Sequence, residues 1–377
     1  MSLGALIKDL RVARGWSQSR LADELCMLSG SSISREYISR NWESGKFEPS
    51  AFWLRHLSTA LDTPLSVLEH ESMKRRTFIA DIAATAIAPR VAADLIQEGF
   101  SARLRGDGPS IEDWEAKLAA YGTDYMSMGA QDIQRRLASE LVTLQQQLDQ
   151  PRMWTVAARL MTLFAKTIPG SDGAKAISWY RMAAEAADRS GDTDTRVWVR
   201  GRASIALGYE GSSLGIADMF GDQAMAISDK PSLGRLNAVF GKAHAAALRG
   251  DLGTARALID VGRRSFDTSG SYEQTSDYAV PWWRVNVFLS LLAARLGDER
   301  IAIAAQEAAV HELPSSLPRF ATHLELHRGL MMARSGDPEG GERYAQAALD
   351  LLPPEKHSLT LRMLIDEIKR DESLPKC

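Results

Sequence analysis

Cysteine is nearly absent. The 377 residues include only Cys26 and Cys377. A disulfide framework is excluded in practice, which fits a chain working in a reducing cytoplasm. Long apolar runs are missing too. No stretch reaches the ~18 apolar residues of a membrane-crossing helix, so no membrane partner is expected. The opening segment, MSLGALIKDLRVARGW, lacks the apolar core of a secretory signal. There is no surplus of positive charge: 45 Lys and Arg stand against 48 Asp and Glu, for a net of −3. Bulk electrostatics therefore give no reason to expect a nucleic-acid partner, and any such case must come from a motif. No P-loop, dinucleotide fingerprint or zinc-type cysteine pair occurs. No cofactor, no metal and no catalytic activity are expected.

What is present is Ala, Leu, Arg and Glu in quantity, with few β-branched runs. This composition favours helices. The length exceeds what a single core usually organises. The expected fold is all-α, with a short helical head over 1–72, a linker and connecting helix over 73–110, and a long helical body over 111–373.

In the head, Leu3, Leu6 and Leu10 form a helical stripe. Gly15 follows as a C-cap, and Ser17 is placed to cap the next helix, SQSRLADELC. After the polar connection MLSGSS, Ser34 caps a third helix. Gly45 and Pro49 end it. Ser50 opens a fourth helix through Trp53, Leu54 and Leu57, and a short fifth follows Pro64. Cys26 reads as a small core residue, and so do Tyr37, Ile38 and Trp42.

Three segments, RVARGWSQSRLADEL, ISRNWESGKFEPS and AFWLRHLSTALDTPLSVLE, resemble the XRE (Cro/C1-type) helix-turn-helix regulators. The resemblance implies that the third helix lays its leading end in the DNA major groove. Ser34, Arg35, Glu36 and Ser39 are then the base-reading candidates. Arg chelates a guanine edge, and Glu accepts from cytosine. Gln18 and Arg20 at the start of helix two, with Arg40 and Lys46, are candidates for phosphates. One departure stands out. Asn41 intervenes in SRNWE where the family runs Ser-Arg directly into Trp-Glu. An extra residue turns later side chains by about 100° on an α-helix, so either the helix ends at Arg40 or a bulge absorbs it. Over 1–72, eight Lys and Arg face nine Asp and Glu. So neutral a head neutralises few phosphates alone, and tight binding to a double-stranded operator calls for a homodimer.

The segment KRRTFI at Lys74–Ile79, followed by an Ala-rich run, has the look of a twin-arginine export signal. A whole domain precedes it, which favours a hinge leading into a helix.

The body shows helix after helix. A Gly-Asp pair recurs between apolar helices at Gly191-Asp192, Gly250-Asp251, Gly297-Asp298 and Gly336-Asp337, the last three spaced by 47 and 39 residues. Small residues such as Ala243, Ala246 and Ala255 let paired helices approach, and Pro314 and Pro353 close units. These offsets resemble degenerate tetratricopeptide repeats, which stack into solenoids with a concave binding face. Head and body together resemble Gram-positive peptide-sensing regulators and actinobacterial XRE regulators. That implies repeat-mediated dimerisation and a peptide or small-molecule effector. A DNA-tethered scaffold that recruits a protein partner is the alternative. Ligand-contact candidates are Asn237, Trp282, Trp283, Arg284 and Asn286, with a second cluster at Trp198, Arg200 and Arg202. An Asn amide on a concave helix can bond a peptide backbone through both its groups. His323 and His327 lie at a spacing that can hold a metal, but a packed or solvated helix face is the favoured reading.

Overall fold

The computed structural model describes residues 3–63, 108–168, 173–211 and 213–371, with scattered positions between 65 and 104. The KRRTFI run, most of the linker, most of the fifth head helix and Cys377 lie outside the described residues. Every regular element among the described residues is helical.

The head comprises α1 (Leu3–Ala13), α2 (Gln18–Ser29), a short α3 (Arg35–Tyr37) and α4 (Ala51–Ala60). Each start has a cause in the sequence. Ser17 Oγ accepts from the Arg20 amide and caps α2; Ser34 Oγ accepts from the Tyr37 amide and caps α3. Gly30 ends α2 at φ 65°, a left-handed conformation that costs glycine little. Leu6, Ile7, Leu10, Leu21, Leu25, Ile38, Leu54 and Leu57 fill the core.

The Asn41 insertion is absorbed by a π-helical turn over Ile38–Glu43. A π-turn fits one more residue per turn than an α-turn, so Trp42 returns to the core at 2% exposure. There it meets Trp53 at 5.7 Å and Tyr37 edge-on at 5.9 Å. Two core assignments need correction. Tyr37 is 47% exposed, and its ring meets Trp42 in a T-shaped contact. Cys26 is half-buried; its Sγ accepts from the Ile33 amide at 3.3 Å and clasps the α2–α3 connection.

The body begins with α5 (Ile111–Ser127), opened by a Ser110–Asp113 capping box, then α6 (Ala130–Leu144), α7 (Pro151–Thr167) and α8 (Gly173–Ser190). Stacked antiparallel pairs follow: α9 (Thr193–Glu210) with α10 (Leu214–Ile227), α11 (Leu233–Leu248) with α12 (Leu252–Ser269), α13 (Trp282–Arg295) with α14 (Glu299–Glu312), and α15 (Pro318–Arg334) with α16 (Pro338–Asp350). Helix α17 (Leu359–Asp371) closes the row. The first members stack in series, α9 on α11, α11 on α13, α13 on α15 and α15 on α17.

The recurrent Gly-Asp pairs have a shared physical job. Each glycine takes positive φ, between 68° and 104°, which ends one helix. Each aspartate then caps the next: Asp192, Asp251, Asp298 and Asp337 accept from the amides of Thr195, Thr254, Ile301 and Gly340 at 2.8–3.1 Å. One dipeptide thus stops and restarts the chain. Where α9 crosses α11 the backbones nearly touch. A Cβ at Gly201 would lie 1.9 Å from the Gly234 carbonyl oxygen, so no larger residue fits without separating the helices.

Head and body are joined. Helix α1 packs on α10, and apolar side chains from both halves share one cluster that includes Leu3, Leu10, Ala183 and Phe220. Arg181 pairs with Asp9, while Arg249 bridges Asp62 of the head and Asp218 of α10.

Candidate nucleic-acid interface and an interior cavity

The leading end of α3 is open to solvent. Ser34, Arg35, Glu36, Arg40 and Lys46 are exposed and Ser39 is half-buried. Beneath them Ile38 and Trp42 are buried, so the apolar side of the turn fixes how the polar side is presented. Arg35 and Glu36 pair with each other at 2.9 Å in full view of solvent. Such an exposed pair contributes ~0–1 kcal/mol, little enough for base edges to displace it. The Arg35 partner and the helix's own backbone hold the Glu36 carboxyl below its ordinary range, the backbone contact being the larger cause. Lys46 lies over the Phe47 ring at 5.6 Å. Arg20 is exposed, 3.2 Å from Glu24 one turn on.

Gln18 has a different place. Its Nε2 donates to Glu43 Oε2 at 2.7 Å. Arg11 grips the same carboxylate with two bonds, of 2.6 and 3.0 Å, and donates a third to the Trp16 carbonyl. Glu43 is almost wholly enclosed. The π-turn has carried it inward, where it ties α1, the start of α2 and the end of the reading segment. Sequence reasoning missed this role because the partners lie 32 and 25 residues away.

Residues 7–68 match the family model described as helix-turn-helix. The N-terminal segment is a helix-turn-helix of the XRE type, the mark of a DNA-binding transcriptional regulator. No curated protein and no solved structure matches the chain. The helix-turn-helix docks on the body through α1, which leaves α3 uncovered. No helix among the described residues is long and apolar enough to cross a membrane.

The body's ligand candidates do not form one surface. Trp282 is 45% exposed and packs on Phe266; Trp283 is fully buried, its indole N–H donating to the Gln274 carbonyl. Asn286 is buried and donates to the Trp282 carbonyl at 2.9 Å. Asn237 is buried with neither amide group partnered. Trp198 packs at a tilt against Tyr278, with Arg159 over its ring, and Arg200 donates to Asp188 at 2.7 Å. His323 and His327 share the Tyr209 hydroxyl, and Ser290 also bonds His327 at 3.0 Å. Burial pushes both imidazoles down, His323 to about 3.

Arg284 and Arg202 meet at a half-open cavity of about 90 Å³ between α5, α7, α9, α13, α15 and the start of α17. Behind it the loop over 270–281 inserts Asp277, whose carboxylate is completely enclosed. Three cations converge on it: Lys166 at 2.5 Å, Arg284 at 2.7 Å and Arg202 at 2.9 and 3.0 Å. Burial works against ionising Asp277, yet Arg202, Lys166 and Arg284 together outweigh it and hold the carboxyl well below its usual range. Burial, aided by repulsion from Arg202, drives the Lys166 amine well below its usual range. Lys166, Asp277 and Arg319 were not legible as a group. They lie up to about 150 residues apart and belong to no common motif.

Proposed function

We propose that the chain is a homodimeric, operator-specific regulator of the reducing cytoplasm, whose repeat body senses an effector. The observation that carries the reading is the presentation of α3. Ser34, Arg35, Glu36 and Ser39 crown a turn whose other side, Ile38 and Trp42, is locked in the core. Rigid placement is what base-edge readout requires. Arg40, Lys46 and Arg20 flank this crown in positions suited to phosphates. Gln18 acts by orienting Glu43 and, through it, the reading segment. Pairing two heads doubles the phosphate contacts that one near-neutral head supplies, and a two-fold operator follows from a two-fold protein.

The stacked pairs of the body, with their Gly-Asp turns, support the tetratricopeptide-like reading. An effector acts by binding one arrangement of that stack better than another. The head–body ion pairs at Asp9 and Asp62 lie where a change in the stack would reach the head.

Selection of bound genomic fragments by the full-length protein tests the DNA reading. A shared two-fold motif is the expected result. Arg35→Ala should then cost ~1–3 kcal/mol at one base pair per half-site. Equal weakening on every sequence would reassign Arg35 to a phosphate, and no enrichment at all would overturn the reading.

A second reading, a DNA-tethered scaffold, draws on an outer groove of about 370 Å³ lined by Ile303, Met331, Met332 and Tyr344. Stoichiometric co-purification of a protein partner, lost on Met332→Glu, would favour it.

A further inference from the structure

Among the described residues, positive charge outnumbers negative around one open space in the body. Lys166, Arg202, Arg284 and Arg319 line the cavity, with Glu210 the one acid among the lining residues. Asp277 behind them is shared by three of the four cations. Arg319 spends its bonds on the carbonyls of Tyr125 and Met126 rather than on an acid. Arg202 and Arg284 are nine-tenths buried or more, and Nε of each has no hydrogen-bond partner. Water could satisfy an N–H but cannot cancel a charge, and uncompensated interior charge is costly. The remaining wall is mixed: Ile205, Val287, Phe288 and Phe320 form an apolar part, and Tyr125, Tyr209, His323, Ser358 and Thr360 a polar one.

We propose that this cavity binds a small organic carboxylate, its anionic group against Arg202, Arg284 and Arg319 and its apolar part against Ile205, Phe288 and Phe320. The inference rests on reading the body as a sensor and names the class of molecule sensed. A carboxylate fits better than an inorganic anion because its tail has a wall to cover. A guanidinium meets it edge-on with paired N–H groups. Glu210 assists. Burial pushes its carboxyl up to about 7, so near neutrality much of it is uncharged and does not repel the ligand.

The test is calorimetric titration of the full chain, without DNA, at fixed ionic strength. The probes are short aryl and alkyl carboxylates (benzoate, phenylacetate, hexanoate), the matched amides, and inorganic phosphate. We expect saturable binding of at least one carboxylate, with its amide weaker by on the order of tenfold or more, as loss of a charge-assisted bond implies. Arg284→Gln should lose a similar factor. Because that change also disturbs Asp277, Ala206→Phe provides the second variant. Ala206 lines the space one turn along α9 from Arg202, so a phenyl ring there fills it while every charged residue of the cluster is kept, and binding should fall at least tenfold. Failure of every carboxylate to bind, an amide or phosphate binding as well as the acid, or undiminished binding by Ala206→Phe would each overturn the proposal. Operator affinity, measured separately with and without the bound carboxylate, addresses the sensor reading. Binding with no change at the operator would leave the site standing and remove the sensing.

Discussion

Both halves of the molecule bury charge, and they do it differently. In the head, Glu43 is matched by one cation, Arg11, with Gln18 and the Trp16 carbonyl completing the bonds. In the body, Asp277 stands alone against Lys166, Arg202 and Arg284. A matched pair is a tie: it orders a loop and asks for nothing more. A mismatched cluster beside a cavity is stable only at a cost, and that cost is relieved when an anion arrives. The head's arrangement serves architecture, whereas the body's leaves the surplus positive charge on which the proposed carboxylate site rests.

The hardest way to break the contrast is Asp277→Asn. It leaves three cations facing one another in the interior. We expect a loss of at least ~3–5 kcal/mol in urea unfolding, partly recovered when Lys166→Met removes one of the cations. Little effect would mean the cluster is hydrated and balanced by solvent. Glu43→Ala comes next, at ~3 kcal/mol. Arg11 keeps its bond to Trp16 and sits nearer water, so the penalty should fall at the low end. Operator binding should weaken with it because the reading turn loses its anchor, and a variant that melted earlier but bound DNA unchanged would sever that link.

Glu210→Gln sharpens the comparison through pH. The folded carboxyl titrates at about 7, above the ~4.3 of an unfolded glutamate. The folded state therefore holds more protons between these values. Stability from this group is full below the unfolded value and is lost as pH rises through the folded one. Between pH 5 and 8 the parent should lose more thermal stability than Glu210→Gln; identical profiles would remove Glu210 from the account. The smallest effect belongs to Asp9→Asn at the head–body contact. Both partners of the Asp9–Arg181 pair are about a quarter exposed, so the change should cost no more than ~1 kcal/mol and vanish at high salt. An operator affinity that shifted nonetheless would mark this contact as part of the coupling.

Much of the head was legible because its signals are local. Ser17 and Ser34 cap helices from three residues away, and the apolar stripe of α1 has a helical period. The Gly-Asp recurrence was legible for the same reason, since a stop and a start sit side by side. Tyr37 misled: an aromatic ring at a core-like spacing was turned outward by the cap at Ser34 and the short α3. The insertion at Asn41 left two outcomes open, and only packing chose between them. Returning Trp42 to the core and Glu43 to Arg11 outweighs the poorer bonding of a π-turn.

The chain's periodicities and caps by themselves determined an all-α molecule with a helix-turn-helix at its start and helical pairs behind it. Those features are set within a turn or two of each residue. The tertiary structure alone decided that Lys166, Arg202, Asp277, Arg284 and Arg319 would share one interior space, and that Gln18 would serve Glu43. Electrostatic interaction depends on distance in space, and the stacking of helices sets that distance without regard to separation along the chain.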